Sequence, residues 1–101
     1  MIKVVIDKKN DMYEKIILSG HAMYDEYGKD IVCAAASSIF ITTVNAIDLL
    51  KPNSITIVQK KDKNIIEVKD LTNETKILLD NMINMFSELE ASYKKNIKIF
   101  K

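Results

Sequence analysis

The chain contains no arginine. All fifteen of its basic residues are lysine, so it lacks the planar, bidentate fork that phosphate and base-edge sites usually recruit, and this counts against direct nucleic-acid binding. The formal net charge is +1, which gives no bulk attraction to a polyanion. Cysteine occurs once, at Cys33, and histidine once, at His21. One cysteine excludes an internal disulfide, and one of each residue cannot assemble a Cys/His metal quartet, so neither a metal nor a cofactor is expected. Proline is found only at Pro52 and glycine only at Gly20 and Gly28. The longest apolar stretch, Ile31 to Ile41, contains serine and runs into Thr42, Thr43, Asn45 and Asp48, which reads as too short and too interrupted for a membrane span. The N-terminus alternates apolar and charged residues and lacks the basic-then-apolar order of a signal peptide. These absences together predict a cytoplasmic protein without a membrane partner.

What is present suits a single folded domain over residues 1–101, with 48% hydrophobic and 29% charged residues. Ile2, Val4 and Ile6 alternate with Lys3, Val5 and Asp7 as in a half-buried strand, ending at a Lys8-Lys9-Asn10-Asp11 turn. Tyr13 to Ser19 forms the second strand of that hairpin. A polar loop occupies 22–29. Asp30 is a good N-cap for an apolar helix from Ile31 to about Leu50, which Lys51-Pro52-Asn53 stops. Ser54 to Lys60 and Asn64 to Lys69 read as a second hairpin around Lys61-Asp62-Lys63. Thr72 or Asn73 can cap a second helix, with Leu78, Leu79, Met82, Met85, Phe86 and Leu89 as its buried stripe. Ile97, Ile99 and Phe100 suggest a short last strand. The order is ββαββαβ, an α+β fold with two helices on a mostly antiparallel sheet.

The chemistry-bearing residues concentrate between strand two and helix one. With Asp30 as N-cap, Cys33 falls in the first helical turn, where unpaired N–H groups and the helix dipole favour negative charge. A free thiol with a pKa of about 8.5 is only a few per cent ionised near neutrality, so a nucleophilic cysteine needs such help. Asp30 works in the other direction, because its carboxylate competes for the same N–H groups and repels a thiolate. An imidazole is therefore needed, and His21 is the one available. Gly28 can supply a positive φ ahead of the cap, and Gly20 would let a substrate backbone approach. The amides of Val32 and Cys33 are candidate oxyanion donors. Ser37 lies one turn beyond Cys33 on the same face. Each residue also has a plainer reading: Cys33 as an inert core thiol, His21 as a surface residue, Ser37 as a small helix residue, and Asp25 and Glu26 as a solvated loop face.

The words Gly20-His21-Ala22 and Tyr27-Gly28-Lys29-Asp30-Ile31-Val32-Cys33-Ala34-Ala35, with Ser37 following, closely resemble the signature of the ribosomal-processing cysteine protease family (Prp, or YsxB-like). Ala36 departs from the valine common there. The resemblance implies a cysteine endopeptidase that removes the N-terminal extension of large-subunit ribosomal protein 27. It also implies a homodimer, with His21 as the catalytic histidine and Cys33 as the nucleophile. Gly20, Asp30, Val32 and Ser37 are carried over as supporting residues only. For a third residue to orient the imidazole, Asp25, Glu26 and Asp30 remain equal candidates. Two other classes compete with the protease reading: a non-catalytic ribosome-assembly or interaction protein, and a redox-sensing thiol protein. Loss of cleavage in Cys33→Ala separates the protease from both.

Overall fold

Alternation in the first strand sends Ile2, Val4 and Ile6 into the interior and leaves Lys3 and Asp7 in solvent. The computed structural model describes residues 1–101, in the order β1 (Ile2–Lys9), β2 (Met12–Ser19), α1 (Ile31–Leu50), β3 (Ile55–Lys60), β4 (Lys63–Val68), α2 (Asn73–Ser92) and β5 (Ile97–Phe100). This is the ββαββαβ, α+β arrangement expected from the sequence. The five strands form one sheet in the order β3-β4-β2-β1-β5. Only the β1–β5 pair is parallel.

Both hairpins turn more tightly than their polar stretches suggest. β1 and β2 are joined by Asn10 and Asp11 alone, with φ values of 54° and 61°. Short polar side chains tolerate that left-handed pair, which matches the twist of the flanking strands. A register shift between Asp7 and Lys8 rotates the hairpin so that Tyr13 is buried, and its hydroxyl donates to Asp80 of α2. β3 and β4 are joined by Lys61 and Asp62, the latter at φ 59°.

The helices cover the inner face of the sheet. α1 buries Val32, Ala36, Phe40, Thr43 and Ile47, and α2 buries Thr75, Leu79, Met82, Ile83 and Phe86. Thr72 is the α2 cap, its hydroxyl accepting the Thr75 N–H at 3.1 Å. Met85 was expected in the α2 stripe but is 42% exposed, and Ile83 takes the core position. At about 100° per residue, Met85 lies roughly a third of a turn from the centre of the buried face. α1 runs a full 20 residues and is long and apolar enough to cross a membrane by length and composition, although the Ile31–Ile41 stretch alone suggested otherwise. Here it lies along the sheet with one face in the core.

Phe86 is fully buried at the centre of the cluster. Phe86→Ala is expected to cost about 3–5 kcal/mol through lost burial and the cavity left behind, read from the urea midpoint.

Candidate active site

Three segments meet at one end of the sheet, two of them near in sequence and the third brought from the β3–β4 turn. β2 ends at Ser19 and delivers Gly20-His21-Ala22, and α1 begins beside it. The β3–β4 turn arrives because β2 and β4 pair with Ser19 opposite Lys63. Gly20 has φ +84°, and a Cβ added there would stand 2.4 Å from the Met1 carbonyl oxygen. The close approach that the missing Cβ permits in this structure is that of the Met1 carbonyl, just ahead of β1, and Gly20 also lines the cleft described below. Gly28 has φ +86° with open space around it, as its place before the cap suggested.

Ala22 is fully buried and clamped at both ends. Its carbonyl accepts from Asn96 Nδ2 at 2.9 Å, and its N–H donates to Cys33 Sγ at 3.3 Å. Cys33 is half-buried on the third residue of α1. His21 is exposed, and its Nε2 lies 3.0 Å from Asp62 Oδ1. At rest the imidazole is thus bonded to Asp62 and the thiol to Ala22, with no hydrogen bond between the two side chains.

Asp30 does more than cap the helix. Its Oδ1 accepts the Val32 and Cys33 N–H groups, each at 3.0 Å, and its Oδ2 accepts from Tyr24 at 2.9 Å and Asp25 at 3.3 Å. One carboxylate therefore ties the loop to the helix start. The same geometry corrects the oxyanion expectation: the Val32 and Cys33 amides are already engaged by Asp30, and Val32 is a core residue. Partial burial pushes the Asp30 carboxyl up. The N–H donors of Cys33, Tyr24, Asp25 and Val32 outweigh that and hold it below the ordinary carboxylate value. A lowered folded-state value means the stabilisation is complete above the unfolded-state value and is lost as pH falls through the lower folded one. Amide exchange at Tyr24, Asp25, Val32 and Cys33 is therefore expected to be slow at pH 5. It should quicken, relative to intrinsic rates, below about pH 4. In Asp30→Ala the protection should be missing at either pH; retained protection in that variant would contradict the role.

A cleft of about 720 Å³ covers these residues, a size suited to a ligand or short peptide segment. Leu18 and Asn64 wall it from the sheet, Ala34 and Ser37 from α1, and Met23 and Tyr27 from the loop. Ser37 is exposed there and makes no hydrogen bond to the thiol. A second cavity, of about 620 Å³, lies by Tyr13 and Asp80 and has neither thiol nor imidazole. Chemistry therefore selects the first. No three His, Cys, Asp or Glu side chains converge as metal ligands. Asp62 and Asn96 were not singled out in the sequence; only strand pairing brings them to His21 and Ala22.

The profile of the family described as cysteine protease Prp matches residues 1–98. A ribosomal processing cysteine protease Prp of Staphylococcus aureus is 31% identical over 87 residues, covering 83% of this chain and 82% of the relative. The Bacillus subtilis protein of the same name is 26% identical over 110 residues, covering 98% of this chain and 96% of its own length. A crystal structure of the S. aureus protease with a covalently linked product peptide superposes with a TM-score of 0.93 at 32% identity. That match covers 99% of this chain and 98% of the other.

Proposed function

Because the chain belongs to the cysteine protease Prp family and is a cysteine protease, we propose that it removes the N-terminal extension of large-subunit ribosomal protein 27 through a Cys33–His21 dyad. The observation that carries this reading is the single cleft holding the only thiol and the only imidazole, within the two signature words.

His21 takes the Cys33 proton, and the thiolate adds to the scissile carbonyl carbon. Collapse of the tetrahedral adduct breaks the C–N bond, with His21 protonating the departing amine. Water, giving a proton to His21, then hydrolyses the thioester and restores the thiol. A backbone donor for the oxyanion is the Ala22 N–H, which at rest bonds the sulfur itself and is released from it when the sulfur bonds to carbon. Catalytic hydrogen bonds commonly tighten only once substrate is bound, so the resting separation of thiol and imidazole is compatible with the dyad.

The chain works in the cytoplasm as a homodimer. Support for the dimer comes from the outer face of α1, where Ile41 and Leu49 are 56% and 83% exposed on a helix whose only charged residue is Asp48. Sedimentation of the wild type at twice the chain mass, and of Ile41→Asp at the single mass, is the expected pattern.

The direct test of the substrate is incubation of the reduced protein with the precursor of large-subunit ribosomal protein 27, followed by mass spectrometry. One cut releasing the extension is expected. A precursor left intact by folded, reduced enzyme would overturn the substrate assignment.

A further inference from the structure

The register that pairs Ser19 with Lys63 makes neighbours of the residues just beyond β2 and those just before β4. Two hydrogen bonds follow from it. The Gly20 N–H donates to the Asp62 carbonyl at 3.1 Å, and the His21 Nε2 meets the Asp62 carboxylate at 3.0 Å. The main chain of Asp62 therefore fixes the residue before His21 while its side chain fixes the ring itself. The nearer acidic residues are otherwise engaged. Asp30 holds four backbone amides, Asp25 accepts the Glu26 N–H, and Glu26 faces Lys29 at 3.8 Å.

We propose that Asp62 is the positioning residue of the His21–Cys33 pair. It accepts the Nε2–H, which leaves Nδ1 as the bare ring nitrogen that receives the thiol proton. When that proton moves from Sγ to Nδ1, the Nε2–H stays in place. The imidazolium then faces the Asp62 carboxylate, which remains ionised throughout. This assignment rests on the dyad reading. Because His21 and Asp62 are 64% and 56% exposed, the contribution is moderated by solvent and salt, and the effect is smaller than that of a buried triad carboxylate.

Asp62→Asn is the informative substitution. It keeps the side-chain shape, and asparagine readily occupies the left-handed backbone of that turn. The backbone carbonyl bonded to Gly20 is untouched. Expected is a fall in kcat of roughly ten-fold with KM within about two-fold and the melting temperature unchanged. The rate at which iodoacetamide alkylates Cys33 without substrate should drop several-fold. The gap from wild type should narrow at high salt, as an exposed ion pair is screened. Wild-type kcat and alkylation in Asp62→Asn would overturn the assignment, as would a rise in KM alone, which would make Asp62 a substrate contact. His21→Ala run alongside separates the two readings. If His21→Ala cleaves normally, the dyad itself fails. If His21→Ala is inactive while Asp62→Asn is wild type, only the role of Asp62 fails. Adding Asp62→Asn to His21→Ala should cost nothing further, because the carboxylate acts through the ring; an additional loss would also count against it.

Discussion

Cys33→Ala is expected to abolish peptide cleavage, with kcat down on the order of 10⁴-fold or more, while the fold persists. The two halves of this prediction have separate causes. Cys33 is the only thiol in the cleft and the group through which the proposed covalent intermediate forms, so its removal deletes the chemical step. The fold survives because the Cys33 contribution to the helix start is its backbone N–H to Asp30, which alanine retains. The one bond lost is the Ala22 N–H to sulfur. Melting curves of the variant should overlay those of the wild type to within a few degrees. Cys33→Ser should keep that geometry and still lose nearly all activity, since a hydroxyl in place of a thiol is far harder to ionise. Cleavage by Cys33→Ala at a rate near wild type would remove Cys33 from the mechanism.

The second large effect is expected at Gly20. Alanine there must adopt φ +84° and place its Cβ 2.4 Å from the Met1 carbonyl oxygen. The left-handed backbone alone costs an L-residue about 1–2 kcal/mol. The clash is with the main chain of Met1, just ahead of β1, which cannot swing aside as a flexible side chain would. A total of roughly 3 kcal/mol or more is expected, a large share of the 5–15 kcal/mol typical of a small domain. Because Gly20 leads directly into His21 and is bonded to Asp62, the same change displaces the imidazole, so activity should fall even in the molecules that remain folded. Gly28→Ala is the control. Its φ is equally positive but open space surrounds it, so only the backbone penalty of about 1–2 kcal/mol applies. Equal melting temperatures for the two variants would refute the close-approach argument for Gly20.

The sequence was most legible where information is local. The alternation of Ile2, Val4 and Ile6, the Asp30 cap and the stop at Lys51-Pro52-Asn53 are all short-range signals, and the elements they mark appear in place. The cleft residues His21, Cys33 and Ser37 were also readable, because they sit in one continuous stretch around a strand end and a helix start. What remained hidden depends on pairing. Asp62 reaches His21 across 41 positions through the β2–β4 register, and Asn96 reaches Ala22 across 74 positions from the segment just before β5. Neither residue carries a local pattern that distinguishes it from a solvated turn. The misreading of the Val32 and Cys33 amides has a similar origin. An N-cap predicts bonds to the first turn, but the second Asp30 oxygen reaching Tyr24 and Asp25 is what binds this carboxylate into the site. Met85 misled for a different reason: an unbranched apolar residue fits the edge of a helical stripe as well as its centre, and here it lies at the edge.

The covalent bond from Cys33 to the substrate carbonyl carbon is the central step, and acid-quenched intact-protein mass spectrometry during turnover measures it directly. The wild-type chain should gain the mass of the N-terminal acyl fragment less water, located at Cys33 by peptide mapping, and the adduct should vanish as substrate is exhausted. Cleavage proceeding at full rate under single-turnover conditions with no such adduct, or an adduct that persists in Cys33→Ala, would contradict it.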